Sequence, residues 1–117
     1  MDNKSQLLKG CLEGCVLRII EIKGEIYGYD ILKVLKENGF DAITEGTLYP
    51  MYARLQKGGL IAAVIRDSSL GPARKYYSLT QNGHDALEQF CESWKFLSNN
   101  VNNIVDGNLL NSKHSDI

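Results

Sequence analysis

Between residues 47 and 84 the chain carries Arg54, Lys57, Arg66, Arg74 and Lys75 against a single carboxylate, Asp67. The formal net charge of all 117 residues is -1, so the positive charge is concentrated in that one stretch and the remainder is acidic. Guanidinium and ammonium groups gathered in this way suit a polyanionic partner, and their placement matters more than the overall sum. Thr47, Tyr49 and Pro50 lie just ahead of the first cations. A phenol or hydroxyl there can donate to a phosphate oxygen or rest on a thymine methyl, the chemistry of a duplex-reading surface.

Catalysis finds no comparable grouping. His84 and His114 are the two histidines, and neither sits in a Ser/His/Asp, Cys/His or paired-carboxylate pattern. No G-x-G-x-x-G or P-loop signature is present. The sequence therefore reads as a non-enzyme without cofactor or metal. Cys11, Cys15 and Cys91 form no C-x-x-C pair, and an odd number suits a reducing compartment better than a disulfide framework. Cys11 and Cys15, four apart in an apolar stretch, read as small buried hydrophobes. With no apolar run of membrane-spanning length and no signal-peptide layout at the start, a cytoplasmic location is expected.

The elements that must carry these side chains follow from periodicity. Leu7, Leu8, Cys11, Leu12, Cys15, Val16, Ile19 and Ile20 recur every three or four residues, which predicts a helix over residues 5–23 ended by Gly24. A second helix is expected over 27–38, with Ile31, Leu32 and Leu35 inward and Gly39 at its C-terminal cap. A third runs to about residue 57 and stops at Gly58-Gly59, with Leu48, Met51 and Leu55 on its buried side. Thr44 is available as its cap. Pro50, however, is comfortable only in a first turn, so the helix is expected to begin nearer Gly46 or to kink.

Residues 60–65 and 75–79 then read as strands, joined by a turn-rich loop over 66–74 with basic residues at both ends. Tyr76 and Tyr77 are assigned to strand packing, and His84 to the surface. Thr80 caps a long helix from Gln81 to about Val105. On it Leu87, Phe90, Cys91, Trp94, Leu97, Val101 and Ile104 follow an approximate heptad seam suited to dimerisation. The expected fold is mainly α (α+β), a winged helix-turn-helix with a long C-terminal dimerisation helix. Its expected divisions are a reading domain over 1–80, whose N-terminal helix contributes to the dimer, a dimerisation helix over 81–106 and a flexible tail over 107–117.

Several ordered motifs resemble the PadR-type transcriptional regulators. They are Tyr27-Gly28-Tyr29-Asp30-Ile31, Gly46-Thr47-Leu48-Tyr49-Pro50, Arg54-Leu55-Gln56-Lys57-Gly58-Gly59-Leu60-Ile61, and Arg74-Lys75-Tyr76-Tyr77-Ser78-Leu79-Thr80 followed by Gly83. The resemblance covers about residues 7–104, and the single C-terminal helix is similar to the short subfamily. It implies a homodimer that binds a palindromic operator in double-stranded DNA, most often as a repressor released by a small molecule. It points to Thr47, Tyr49, Pro50 and Lys57 on the recognition helix and to Arg74 and Lys75 at the wing; Arg54 and Arg66 join them on charge. Trp94 resembles the tryptophan of multidrug-sensing members, where paired indoles stack planar aromatic or cationic drugs. Leu8, Cys11, Leu12, Cys15 and Cys91 are the expected walls of such a site, while plain interface core is the alternative role for Trp94.

Overall fold

The computed structural model describes residues 3–110 and falls into two compact units, one through Leu87 and one from Glu88 onward. The first unit contains α1 (Asn3–Lys23), β1 (Ile26–Tyr27), α2 (Gly28–Glu37), α3 (Glu45–Lys57), β2 (Ile61–Ser68), β3 (Gly71–Leu79) and the opening turns of α4 (Gln81–Val105). The three strands form one antiparallel sheet in the order β1-β3-β2. Three helices followed by a hairpin make a winged helix-turn-helix fold, as the periodicities predict. No helix among the described residues is long and apolar enough to cross a membrane.

The core draws on every element of this unit. Leu12, Val16, Leu17 and Ile20 come from α1, Ile31, Leu32 and Leu35 from α2, and Leu48, Met51 and Leu55 from α3. Ile26, Ile61 and Tyr77 close it from the sheet. Tyr52 is the largest fully buried side chain. Its hydroxyl donates to the Gly28 carbonyl at 3.0 Å, and its ring lies 5.1 Å from that of Tyr77. A Cβ on Gly28 would stand 3.2 Å from the Tyr77 ring and 3.3 Å from the Tyr52 ring, so glycine lets α2 approach both aromatics. Burial pushes the Tyr52 phenol well above the usual tyrosine range and keeps it a donor.

Helix ends follow the chemistry of their residues. At the end of α3, Leu60 N–H donates to Leu55 O and Gly59 N–H to Gln56 O, a Schellman closure with Gly59 at φ 78°. Thr80 starts α4: its hydroxyl accepts from Gly83 N–H at 3.0 Å and donates to Gly59 O at 2.6 Å. Its amide donates to Leu60 O. A Cβ on Gly83 would fall 2.0 Å from that same Leu60 oxygen. The first turn of α4 therefore rests directly on the α3–β2 connection.

Several expectations need correction. α3 begins at Glu45 with Thr44 at its N-cap, and the Thr44 side chain makes no capping bond. Pro50 sits in the second turn of a continuous helix, because Leu48, Met51, Tyr52 and Leu55 anchor the segment to the core and outweigh the one backbone bond that proline cannot form. The wing is a hairpin, as expected, but its tip is tighter than the turn-rich stretch over 66–74 suggests. Arg66 pairs with Arg74 and Ser68 with Gly71, leaving Ser69 and Leu70 at the tip. An irregularity between Arg66 and Ser68 lies opposite Pro72, which has no N–H to give to a regular ladder. The strand β1 has only two residues, too few for an alternating pattern in sequence.

Two substitutions test this packing. Tyr52→Phe removes a buried hydrogen bond and is expected to cost about 1 kcal/mol, measured as a lower urea midpoint. Gly83→Ala forces a methyl onto a backbone oxygen and is expected to cost about 3 kcal/mol. Thermal unfolding of that variant at the parent temperature would contradict the close approach.

Candidate nucleic-acid interface

The outward face of α3 carries Thr47, Tyr49, Pro50, Arg54 and Lys57, all exposed. Burying Leu48, Met51, Tyr52 and Leu55 on the other face leaves these positions to solvent. Tyr49 is 45% exposed and packs edge-on against Tyr52, with centroids 5.8 Å apart. Partial burial, then Glu45 and the neighbouring tyrosines, raise its pKa, so its phenol is a donor at physiological pH. The Thr47 hydroxyl lies 3.4 Å from that of Thr44. Arg54 comes within 3.6 Å of Glu13, an exposed pair that holds the guanidinium only loosely.

The wing divides its cations between two faces. Arg66 and Arg74 are cross-strand partners and share one face with Tyr76 and its partner Tyr27. Arg74 lies 4.8 Å from the Tyr27 ring centroid, a cation–π contact. Tyr27 is also within 5.8 Å of Tyr76 and 6.3 Å of Tyr29. Lys75 points to the opposite face, on the side of Tyr77. Between α3 and β3 runs an open groove of about 420 Å³, lined by Tyr27, Tyr49, Gln56, Arg74, Lys75 and Tyr77 among others. The recognition-helix tyrosine and two wing cations are thus brought to one concavity.

Arg66 is placed differently. Its Nε and Nη2 donate to the two carboxylate oxygens of Glu25, each at 2.7 Å, across 41 residues of sequence. Its guanidinium also lies 5.9 Å from the Tyr76 ring. The Arg66 hydrogen bond and charge hold the Glu25 carboxyl below its ordinary range. Sequence reasoning assigned Arg66 to the duplex on charge alone; nothing in local spacing ties it to Glu25. Tyr27 and Gln56 stand in the quoted motifs without a role, and their place in the groove appears only once β1 pairs with β3.

The positions singled out for dimer and effector contacts also separate. Leu87 is 2% exposed and belongs to the core of the first unit, because the opening of α4 docks there. It is unavailable to a seam. Leu12 is likewise 2% exposed, whereas Leu8, Cys11 and Cys15 are only half-buried along another side of α1. The cysteines are therefore not core hydrophobes; α1 has a second apolar flank, continued by Ile19 and Ile22, that the first unit leaves partly uncovered. In the second unit Phe90 and Cys91 are half-buried, and Trp94, Leu97, Val101 and Ile104 are exposed. His84 is exposed and meets the Glu21 carboxylate at 3.3 Å. Among the described residues no group of three His, Cys, Asp or Glu side chains is placed to hold a metal ion.

A recognition helix seated on two others, with a cation-bearing hairpin beside it, defines a winged helix-turn-helix protein. A family model described as the transcriptional regulator PadR-like family matches residues 16–89, and the chain belongs to that family. Its members regulate transcription and are not enzymes. The chain is similar to a PadR-like transcriptional regulator from Bacillus cereus, with 47% identity over 87% of this chain and 98% of that one, at a TM-score of 0.79. A Streptococcus transcriptional regulator is 45% identical over 85% of this chain and 96% of its own, with a TM-score of 0.76. Bacillus subtilis PadR, solved in complex with operator DNA, is 28% identical over 68% of this chain and 45% of that one, with a TM-score of 0.63.

The Glu25–Arg66 geometry sets a pH dependence. Because the folded-state pKa of Glu25 is lowered, the pair's stabilising effect is present above the ordinary glutamate value of about 4.3. It is lost as pH falls through the lowered folded value. A carbon-detected NMR titration should place the Glu25 midpoint below that of a model peptide and return it there in Arg66→Ala. An unchanged midpoint in Arg66→Ala would assign the shift elsewhere.

Proposed function

We propose that this protein is a homodimeric, sequence-specific DNA-binding regulator that represses its target promoters and leaves its operator when a small hydrophobic or aromatic effector binds. The observation that carries the reading is the grouping of Tyr49, Arg74 and Lys75 around the groove between α3 and β3, with Lys57 and Arg54 exposed on the same helix. In this reading α3 enters the major groove. Thr47, Tyr49 and Pro50 face base edges there, while Arg54, Lys57, Arg74 and Lys75 neutralise phosphates. The operator-bound state of Bacillus subtilis PadR supports DNA as the partner.

Dimerisation through α4 accounts for an otherwise costly surface. Trp94, Leu97, Val101 and Ile104 place apolar area in water along a single helix, which a second copy would cover. The half-buried flank of α1 at Leu8, Cys11 and Cys15 supplies further apolar surface. The proposed effector contact is Trp94, whose indole face receives a planar aromatic or cationic molecule. Residues 1–80 then act as the reading head and 81–106 as the dimerisation helix.

Electrophoretic mobility shift with the DNA upstream of the protein's own gene tests the central claim, and no shift at low salt across that region would refute it. Affinity should fall by roughly 0.9 log units per log unit of salt for each phosphate neutralised. Lys57→Ala and Arg74→Ala should weaken binding to all sequences alike, by about one such unit of slope each, whereas Tyr49→Ala should also reduce discrimination between operator and unrelated DNA. Footprints are expected in pairs about 34 Å apart or a multiple of it.

Sedimentation separates the assembly from the reading head. Leu97→Glu should yield a folded monomer at micromolar concentration, and a variant that remains dimeric would place the interface elsewhere. Trp94 is the one tryptophan in the sequence, so its emission reports directly on the proposed effector site. Planar cationic dyes should quench it in the parent and fail to do so in Leu97→Glu.

A further inference from the structure

The outer face of the wing sets two guanidiniums opposite each other. Arg66 on β2 and Arg74 on β3 are register partners, an arrangement in which like charges repel. The two are treated unequally. Arg74 has the Tyr27 ring beside it and lines the groove toward α3. Arg66 has both oxygens of Glu25, at 2.7 Å each, from the connection between α1 and β1. A carboxylate held in this two-oxygen fashion gives a guanidinium the same fork of acceptors that a phosphodiester offers.

We propose that Glu25 is an internal phosphate mimic that masks Arg66 from the duplex and so limits affinity for DNA of unrelated sequence. The inference rests on the DNA-binding reading above and adds a specificity-determining residue to it. Sequence-independent affinity grows with every phosphate neutralised, whereas discrimination comes from base edges. A regulator that must leave unrelated DNA gains from withholding one wing cation. Two features keep the mask closed. The Tyr76 ring lies 5.9 Å from the Arg66 guanidinium, and release of Glu25 would leave Arg66 without its carboxylate partner opposite Arg74.

The test measures salt dependence of binding to a fluorescently labelled duplex of unrelated sequence and, in parallel, to the upstream duplex. Four variants are compared with the parent: Arg74→Gln, Arg66→Gln, Glu25→Gln and the double Glu25→Gln/Arg66→Gln. Arg74→Gln should flatten the slope by about 0.9, one phosphate's worth, and Arg66→Gln should leave it at the parent value. Glu25→Gln should steepen it by about 0.9, so that affinity falls roughly 3.5-fold further between about 50 and about 200 mM salt. It should also lower the ratio of upstream to unrelated binding.

The double variant should return to the parent slope, and it also restores the parent's net charge. The mask is therefore told from a general charge effect by Arg66→Gln alone, which a general effect would flatten and the mask leaves unchanged. The Arg66 Nε–H resonance, protected from exchange in the free parent and exposed in Glu25→Gln, reads the mask without DNA. Flattening by Arg66→Gln equal to that of Arg74→Gln, or a steep slope retained in the double variant, overturns the mask alone. A parent that binds no duplex overturns the DNA-binding reading and the mask with it.

Discussion

The hydrogen bond from the Tyr52 hydroxyl to the Gly28 carbonyl is the point on which the winged unit turns. It joins α3 to the start of α2, and the adjoining Tyr77 ring, tilted against that of Tyr52, joins both to the central strand of the sheet. A polar group this deeply buried is tolerable only when satisfied, and a ring of this size fits only because Gly28 has no side chain. Replacing any of the three weakens the seating of α3 against β3. The groove lined by Tyr49, Arg74 and Lys75 depends on that seating.

The same aromatic framework extends outward. All six tyrosines take part in ring contacts, in two runs of three: Tyr29, Tyr27 and Tyr76 on one side, Tyr49, Tyr52 and Tyr77 on the other. The first run supplies flat surfaces beside Arg74 and Arg66. The second lies under the exposed face of α3. Rings hold long, flexible cations in fewer conformations, so less side-chain entropy remains to be lost when a partner arrives.

The helices and the hairpin were legible because their apolar periods are long and their punctuation is strong: Gly24, Gly39 and Gly58-Gly59 end helices, and Thr80 begins one. What escaped depends on residues distant in sequence. Tyr52 looks like a neutral member of a helix until its hydroxyl is seen to reach back 24 positions. Glu25 lies in an unremarkable turn until β2 and β3 close and bring Arg66 to it. The sequence suggests a longer hairpin tip because Gly, Pro and Ser mark loops on average, yet here Ser68 pairs with Gly71 and a local irregularity absorbs Pro72. Leu87 fits the α4 seam by spacing, but a heptad does not record which of its turns the first unit has already covered.

The first turn of α3 has no side-chain cap, and its sixth residue is a proline. Such a segment would hardly be helical in isolation, where nucleation is already unfavourable for a peptide of 13 residues. Its shape is lent by the neighbours it packs against. The exposed face of α3 therefore depends on the interior beneath it rather than on the helix's own propensity. Substitutions in the core beneath α3, far from its exposed face, are then able to alter that face.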